Sequence, residues 1–146
     1  MDKVVIYCDG SCSPNPGNGG WAAVLLAPGH KKRREISGAE VKTTNNRMEI
    51  LAAVRALEQL TKPSDVTLYT DSRYLCDALA KRWIVKWQAN GWLTTLKEPV
   101  KNQDLWEQVL ALTAKHTVAL KWLKGHADNT EINRCDELAN AARRGL

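Results

Sequence analysis

Near its start the chain carries an apolar run, Val4 to Tyr7, which passes through Cys8 to Asp9 and then gives way to the polar, glycine-rich stretch SPNPGNGG. Such a run reads as a buried strand from Val4 to Asp9. Trp21 to Leu26, after Gly19-Gly20, reads as a second strand. The looser alternation from Arg34 to Lys42 reads as a third, with Pro28-Gly29 at the turn between them. These three can form an antiparallel meander. The period then changes. Ile50, Ala53, Val54, Leu57 and Leu60 recur at helical spacing behind the N-cap candidates Thr43 to Asn46, and Pro63-Ser64-Asp65 breaks the helix. Val66 to Thr70 is a short strand that also ends on an acid, Asp71, with a short helix expected after it. Beyond a basic, Trp-rich segment the pattern predicts a helix near Asn102 to Lys115 and a fifth strand from Thr117 to Leu123. A closing helix follows from about Thr130 to Arg143, with Ile132, Cys135, Ala139 and Ala142 as its apolar stripe.

Strands first, then helices and strands in alternation, predict an α/β fold with a mixed sheet. The first and fourth strands are joined through a helix and can be parallel neighbours. Their carboxyl ends then lie side by side, where open α/β sheets hold ligands. Asp9 and Asp71 occupy those ends. A phosphate-cradling loop would need a Gly-Lys-Ser/Thr ending, whereas these glycines lead into Trp21 with no lysine. The other reason to end a buried strand on an acid is a cation, which needs further carboxylates. Glu49 stands in the first turn of the first helix, one residue from Ile50 and so at the edge of the buried face. Asp136 holds the same relation to Cys135 in the last helix. Each acid alone has an ordinary reading: a helix-start Glu offsets the dipole, and a strand-end Asp caps the following turn. Together they repel one another and raise each other's pKa, so the cluster is costly without a cation. All-oxygen ligation suits Mg²⁺ or Mn²⁺. Two such ions roughly 4 Å apart can activate a water and stabilise the leaving oxygen of phosphoryl transfer.

The 146 residues suffice for one domain with a real core, spanning 1–146. No apolar run approaches the ~20 residues that span a bilayer. Met1-Asp2-Lys3 leads directly into a strand, and Cys8, Cys12, Cys76 and Cys135 form no CxxC pair. The expectation is a cytoplasmic protein with reduced thiols and no membrane partner. The net charge of +5 permits a polyanionic partner. Its distribution is more informative. Lys81, Arg82, Lys86, Lys97 and Lys101 face only Glu98 between residues 81 and 101, a local balance of +4, and Trp83, Trp87 and Trp92 share that stretch. The run Lys31 to Arg34 reads as a solvated edge.

The blocks YCDGSC with NPGNGGWAAVL, TTNNRMEILAA, LYTDSRYL, RWIVKWQANGW and WLKGHADNTEINRCDELA occur in one order across nearly the whole chain. In this the sequence resembles the type 1 bacterial ribonucleases H, endonucleases that cut RNA in RNA–DNA hybrids. The resemblance implies the ribonuclease H-like fold, a five-stranded mixed sheet flanked by helices. It implies that Asp9, Glu49, Asp71 and Asp136 bind metal, two Mg²⁺ ions in the substrate complex with Mn²⁺ as an alternative, and act in catalysis. It gives His126 a catalytic place in a mobile loop near the site. Asn15, Thr44, Asn45 and Arg73 stand where family members contact substrate near the cut, and Gly10, Ser11 and Cys12 would lie along the RNA strand. The segment at about 81–101 would be a protruding handle for the DNA strand, with Lys81, Arg82, Trp83 and Lys86 as contacts. Trp83 and Trp87 fall i, i+4 on one helical face, so core packing competes with nucleic-acid contact for both.

The implied activity is hydrolysis of the RNA strand to 5′-phosphate and 3′-hydroxyl ends by an expected monomer whose partner is the RNA–DNA hybrid. The rival readings are a non-catalytic hybrid-binding module and a DNA-processing nuclease of the same fold. Three departures from the family pattern stand out. Gln88-Ala89-Asn90 replaces basic residues after the second handle tryptophan, so the handle would grip less. Arg73 stands where an amide is common, and can meet a phosphate or pair with a catalytic acid. The loop after His126 lacks a second histidine and a proline.

Overall fold

The computed structural model describes residues 1–27, 32–124 and 129–146. Five strands, β1 (Asp2–Cys12), β2 (Gly17–Ala27), β3 (Lys32–Thr43), β4 (Ser64–Thr70) and β5 (Thr117–Trp122), form one sheet in the order β3-β2-β1-β4-β5. The β1–β2 and β2–β3 pairs are antiparallel, whereas β1–β4 and β4–β5 are parallel. The helices are α1 (Asn45–Glu58), α2 (Arg73–Ala80), α3 (Trp83–Asn90), α4 (Gln103–Lys115) and α5 (Thr130–Arg144). The mixed sheet with flanking helices is the one the pattern predicts.

Two boundaries differ from the pattern in a way that matters for the site. β1 does not end on Asp9. It runs on to Cys12, which pairs with Gly19, while Gly10 pairs with Trp21. What ends near Asp9 is the parallel ladder to β4, whose last pair is Tyr7 with Tyr69. Asp9 therefore sits in a continuing hairpin just past the rim of the parallel half. β2 likewise begins at Gly17 rather than Trp21. Glycine gives no side-chain alternation and lowers strand propensity, so this paired stretch reads as loop. Its glycines are required by packing. A side chain on Gly19 would strike Thr43 and Met48, and one on Gly20 would strike the Ala139 carbonyl of α5.

α1 is the central helix. Thr44 caps it, accepting from the Arg47 N–H at 3.1 Å, and Met48 to Val54, Ala56 and Leu57 are all buried. Its alanines allow close approach to the sheet, and each large side chain buried there contributes roughly 1.5–3 kcal/mol. On the opposite face α5 lays Cys135 and Ala139 against Ala22 and Val24. Arg134 to Glu35 (2.9 Å) and Arg33 to Glu131 (2.8 Å) tie α5 to the edge strand β3. At the far end of the sheet, buried His116 accepts the Ser64 N–H at its Nδ1 (3.1 Å), joining the start of β4 to the end of α4.

Candidate active site

Four elements remote in sequence deliver the acids. β1 carries Asp9, the first turn of α1 carries Glu49, the β4–α2 turn carries Asp71 and α5 carries Asp136. The turn after β4 is held locally: the Ser72 N–H donates to Thr70 Oγ1, and Ser72 Oγ accepts from Leu75 as the cap of α2 (both 3.1 Å). Asp9 and Glu49 approach closely because Gly10 has no side chain. A Cβ there would lie 2.5 Å from the Glu49 amide nitrogen and from the Met48 carbonyl carbon. Carboxylate oxygens of Asp9, Glu49 and Asp71 lie within 4.8 Å of one another.

Asp9 and Glu49 are buried, and Asp9 Oδ2 and Glu49 Oε2 have no hydrogen-bond partner among the described residues. Burial pushes the Asp9 carboxyl up to about 8, with the charges of Asp71 and Asp136 adding to the effect. Burial, followed by the charges of Asp9 and Asp71, pushes Glu49 up as well. Buried acceptor oxygens without donors, on acids that burial and neighbouring carboxylates push up, are the arrangement a divalent cation resolves. The donor set is all oxygen, as Mg²⁺ and Mn²⁺ prefer. Asp136 stands outside the tight group of three, yet close enough to act on Asp9.

Asn140, which the sequence pattern did not single out, holds Asp136. Its Nδ2 donates to the Asp136 carbonyl (3.0 Å) and carboxylate (3.2 Å), while its Oδ1 accepts from Ser11 (2.6 Å) and Arg143 (3.0 Å). A helical i, i+4 pairing of Asp136 with Asn140 was available as a signal. The bond to Ser11 was not.

The residues expected to meet substrate fall into groups. Ser11 and Cys12 lie at the end of β1, and Cys12 Sγ donates to the Thr43 carbonyl (3.5 Å). Asn15 Oδ1 accepts from the Asn45 N–H (3.2 Å), so Asn15, Thr44 and Asn45 form one edge beside the start of α1. Gly10 is buried against α1, which gives it a packing role first. The Arg73 guanidinium lies over the Trp122 ring, its Cζ 4.5 Å from the ring centroid. On the basic segment, Arg82 and Lys86 are exposed, and exposed Lys81 lies 3.6 Å from Asp77. Trp83 and Trp87 are half-buried in an aromatic tier. Trp87 meets buried Trp106 at 5.9 Å between centroids, and Trp83 meets Trp87 at 6.1 Å. Both therefore pack, with edges left along a groove that Lys86 also lines. His126 lies outside the described residues.

Among the described residues no helix is long and apolar enough to cross a membrane. The RNase H family model matches residues 1–144. A ribonuclease H of Moorella thermoacetica is 55% identical over 142 residues, covering 97% of this chain and 92% of that protein. LC9-RNase H1, a type 1 RNase H with the type 2 active-site motif, matches with a TM-score of 0.85 at 29% identity, covering 99% of this chain and 74% of that one. LC11-RNase H1, solved in complex with an RNA/DNA hybrid, shares the fold, with a TM-score of 0.68 at 22% identity over 97% of both chains. With the sheet order and the acid cluster matched by similarity along almost its whole length, the chain belongs to the ribonuclease H family, a family of metal-dependent endoribonucleases.

Proposed function

We propose that the protein cleaves the RNA strand of RNA–DNA hybrids endonucleolytically, leaving 5′-phosphate and 3′-hydroxyl ends. The observation that carries this reading is the convergence of Asp9, Glu49 and Asp71, two of them buried with unpartnered oxygens, at the rim of the parallel strands. Binding alone requires no such cluster, which argues against a non-catalytic module. Asp9, Glu49, Asp71 and Asp136 would hold two divalent cations, Mg²⁺ or Mn²⁺. Cations bound there supply activation of the attacking water and charge stabilisation of the leaving 3′ oxygen. Asp9 and Asp71, whose carboxylate oxygens lie within 4.8 Å of each other, would fix the geometry, and Asn140, hydrogen-bonded to Asp136, would orient it.

The chain's own polar groups would choose the strand. A 2′-OH is both donor and acceptor and only RNA has it. Asn15, Thr44, Asn45, Ser11 and Cys12 supply polar groups around the end of β1 and the start of α1. If they pair with 2′-hydroxyls, a DNA strand leaves them unpaired at a cost of roughly 1–3 kcal/mol for each buried group. Lys81, Arg82 and Lys86 would meet phosphates of the other strand, with Trp83 contributing an edge. His126 would carry a proton near the leaving group. Residues 1–146 form a single catalytic domain with its handle at about 81–101, acting as a cytoplasmic monomer.

The test is cleavage of matched substrates, RNA–DNA hybrid, duplex RNA and duplex DNA, with and without Mg²⁺. Cutting of the hybrid's RNA strand alone, only with metal and with 5′-phosphate products, is the expected outcome. Binding without cutting would favour the module reading, and cutting of duplex DNA the DNA-processing one.

A further inference from the structure

Trp122, the last residue of β5, makes two contacts beside Asp71 of the acid cluster. Its indole N–H donates to the main-chain carbonyl of Asp71 at 3.0 Å. Its ring lies against the Arg73 guanidinium, 4.5 Å from Cζ to the ring centroid. The backbone beneath it is fixed. Trp122 is in parallel register with Thr70, and the Leu123 N–H donates to the Thr70 carbonyl at 2.8 Å. Yet the residue stays 39% exposed. One side chain thus ties the backbone of a candidate metal ligand to an exposed cation two residues further on.

We propose that Trp122 is a positioning residue, which holds the Arg73 guanidinium so that it meets a phosphate of the RNA strand beside the bond being cut. The inference rests on the nuclease reading above. Its physical basis is the shape of the guanidinium. Stacking uses the planar face and leaves the in-plane N–H donors for a phosphate. A long exposed arginine would otherwise lose rotamer freedom each time substrate bound. The indole removes that loss in advance, and its own hydrogen bond to Asp71 fixes the platform relative to the site. Arg73 is also the first residue of α2, an eight-residue helix whose N-terminal end favours an anion. Lysine could supply the charge but not the stacked plane, so the arrangement is specific to arginine.

A double-mutant cycle tests this, with KM and kcat measured on a short RNA–DNA hybrid at fixed salt and Mg²⁺. Arg73→Ala should raise KM about 5- to 10-fold, and Trp122→Leu about 3- to 10-fold. In KM the double variant should be no worse than Arg73→Ala alone, because the tryptophan acts on substrate binding through the arginine, whereas loss of its bond to Asp71 would show in kcat. Arg73→Lys should resemble Arg73→Ala rather than the parent. A hybrid bearing one neutral methylphosphonate beside the cut should bind the parent more weakly and leave Arg73→Ala unaffected. Multiplying KM effects in the cycle, a parental KM in Trp122→Leu, or a fully functional Arg73→Lys would overturn the proposal. Should Trp122→Leu not fold, the Arg73→Lys and methylphosphonate comparisons decide by themselves. A parent that fails to cut the hybrid at all would instead sink the nuclease reading.

Discussion

Gly10→Ala separates two roles for the glycine beside Asp9. If its purpose is to let α1 approach β1, the added methyl stands 2.5 Å from main-chain atoms of Met48 and Glu49. Those atoms belong to a helix backbone and cannot rotate away, so the start of α1 must retreat by about 1 Å to regain ordinary contact. Overpacking of this kind costs ~1–3 kcal/mol. At roughly 2–4 °C per kcal/mol for a chain of this size, Tm should fall by about 2–12 °C. Glu49 rides on the displaced turn, so the chemistry should suffer too. A displacement of this size in a catalytic group can cost on the order of 100-fold in rate. The assay combines thermal melts with and without Mg²⁺, a calorimetric Mg²⁺ titration and steady-state cleavage. Lower Tm, weaker Mg²⁺ binding and a 10- to 100-fold loss in kcat with little change in KM are expected. Parental Tm and Mg²⁺ affinity accompanied by a higher KM would refute the packing argument and make Gly10 a point of substrate approach.

Asp9→Asn should remove nearly all cleavage while preserving fold and hybrid binding. It should also raise the melting temperature of the metal-free protein, since it relieves a buried acid that its neighbours repel; near-parental cleavage would contradict the assignment. Replacing Lys81, Arg82 and Lys86 together with Ala should raise KM and make log K against log salt shallower by about 0.9 for each phosphate no longer neutralised, whereas an unchanged slope would mean that none touches phosphate. His126→Ala should lower kcat by about 10- to 100-fold at nearly constant KM, and a parental kcat would reduce the residue to a structural one. Burial, with Lys115 nearby, holds the His116 imidazole below its usual range, and its Nδ1 must stay unprotonated to accept the Ser64 N–H. Its stabilising contribution is therefore whole above the unfolded pKa of about 6.5 and is lost as pH falls through the lowered folded value. Denaturant melts from pH 8 to 5 should show this loss flattened in His116→Asn, and an identical acid limb in both proteins would exclude the mechanism.

Periodicity disclosed most of the elements because their buried faces are apolar at regular spacing. α1 is the clearest case, with Ile50, Val54 and Leu57 buried as spaced. The acids were legible for a related reason: a charged residue at the rim of an apolar element is conspicuous. What the pattern missed lies where side chains are absent or partners are remote. The paired glycines of β2 left no alternation to read. Ser11 meets Asn140 across 129 positions, and Trp122 meets Asp71 across 51, with no local signature of either bond. The handle tryptophans were ambiguous because i, i+4 spacing describes a face without saying what covers it. Trp106, far along the chain, supplies that cover.

The distribution of the four acids over β1, α1, the β4–α2 turn and α5 also bears on how the protein comes into being. During synthesis Asp9, Glu49 and Asp71 emerge well before Asp136, and the face of β2 formed by Ala22 and Val24 has no cover until α5 arrives. A nascent chain stalled before Thr130 would hold three mutually repelling carboxylates and a bare apolar strand face. It would be prone to association rather than competent to cut. Because α5 both seals the sheet and carries the last acid, a site that needs all four carboxylates would be completed only when folding is complete.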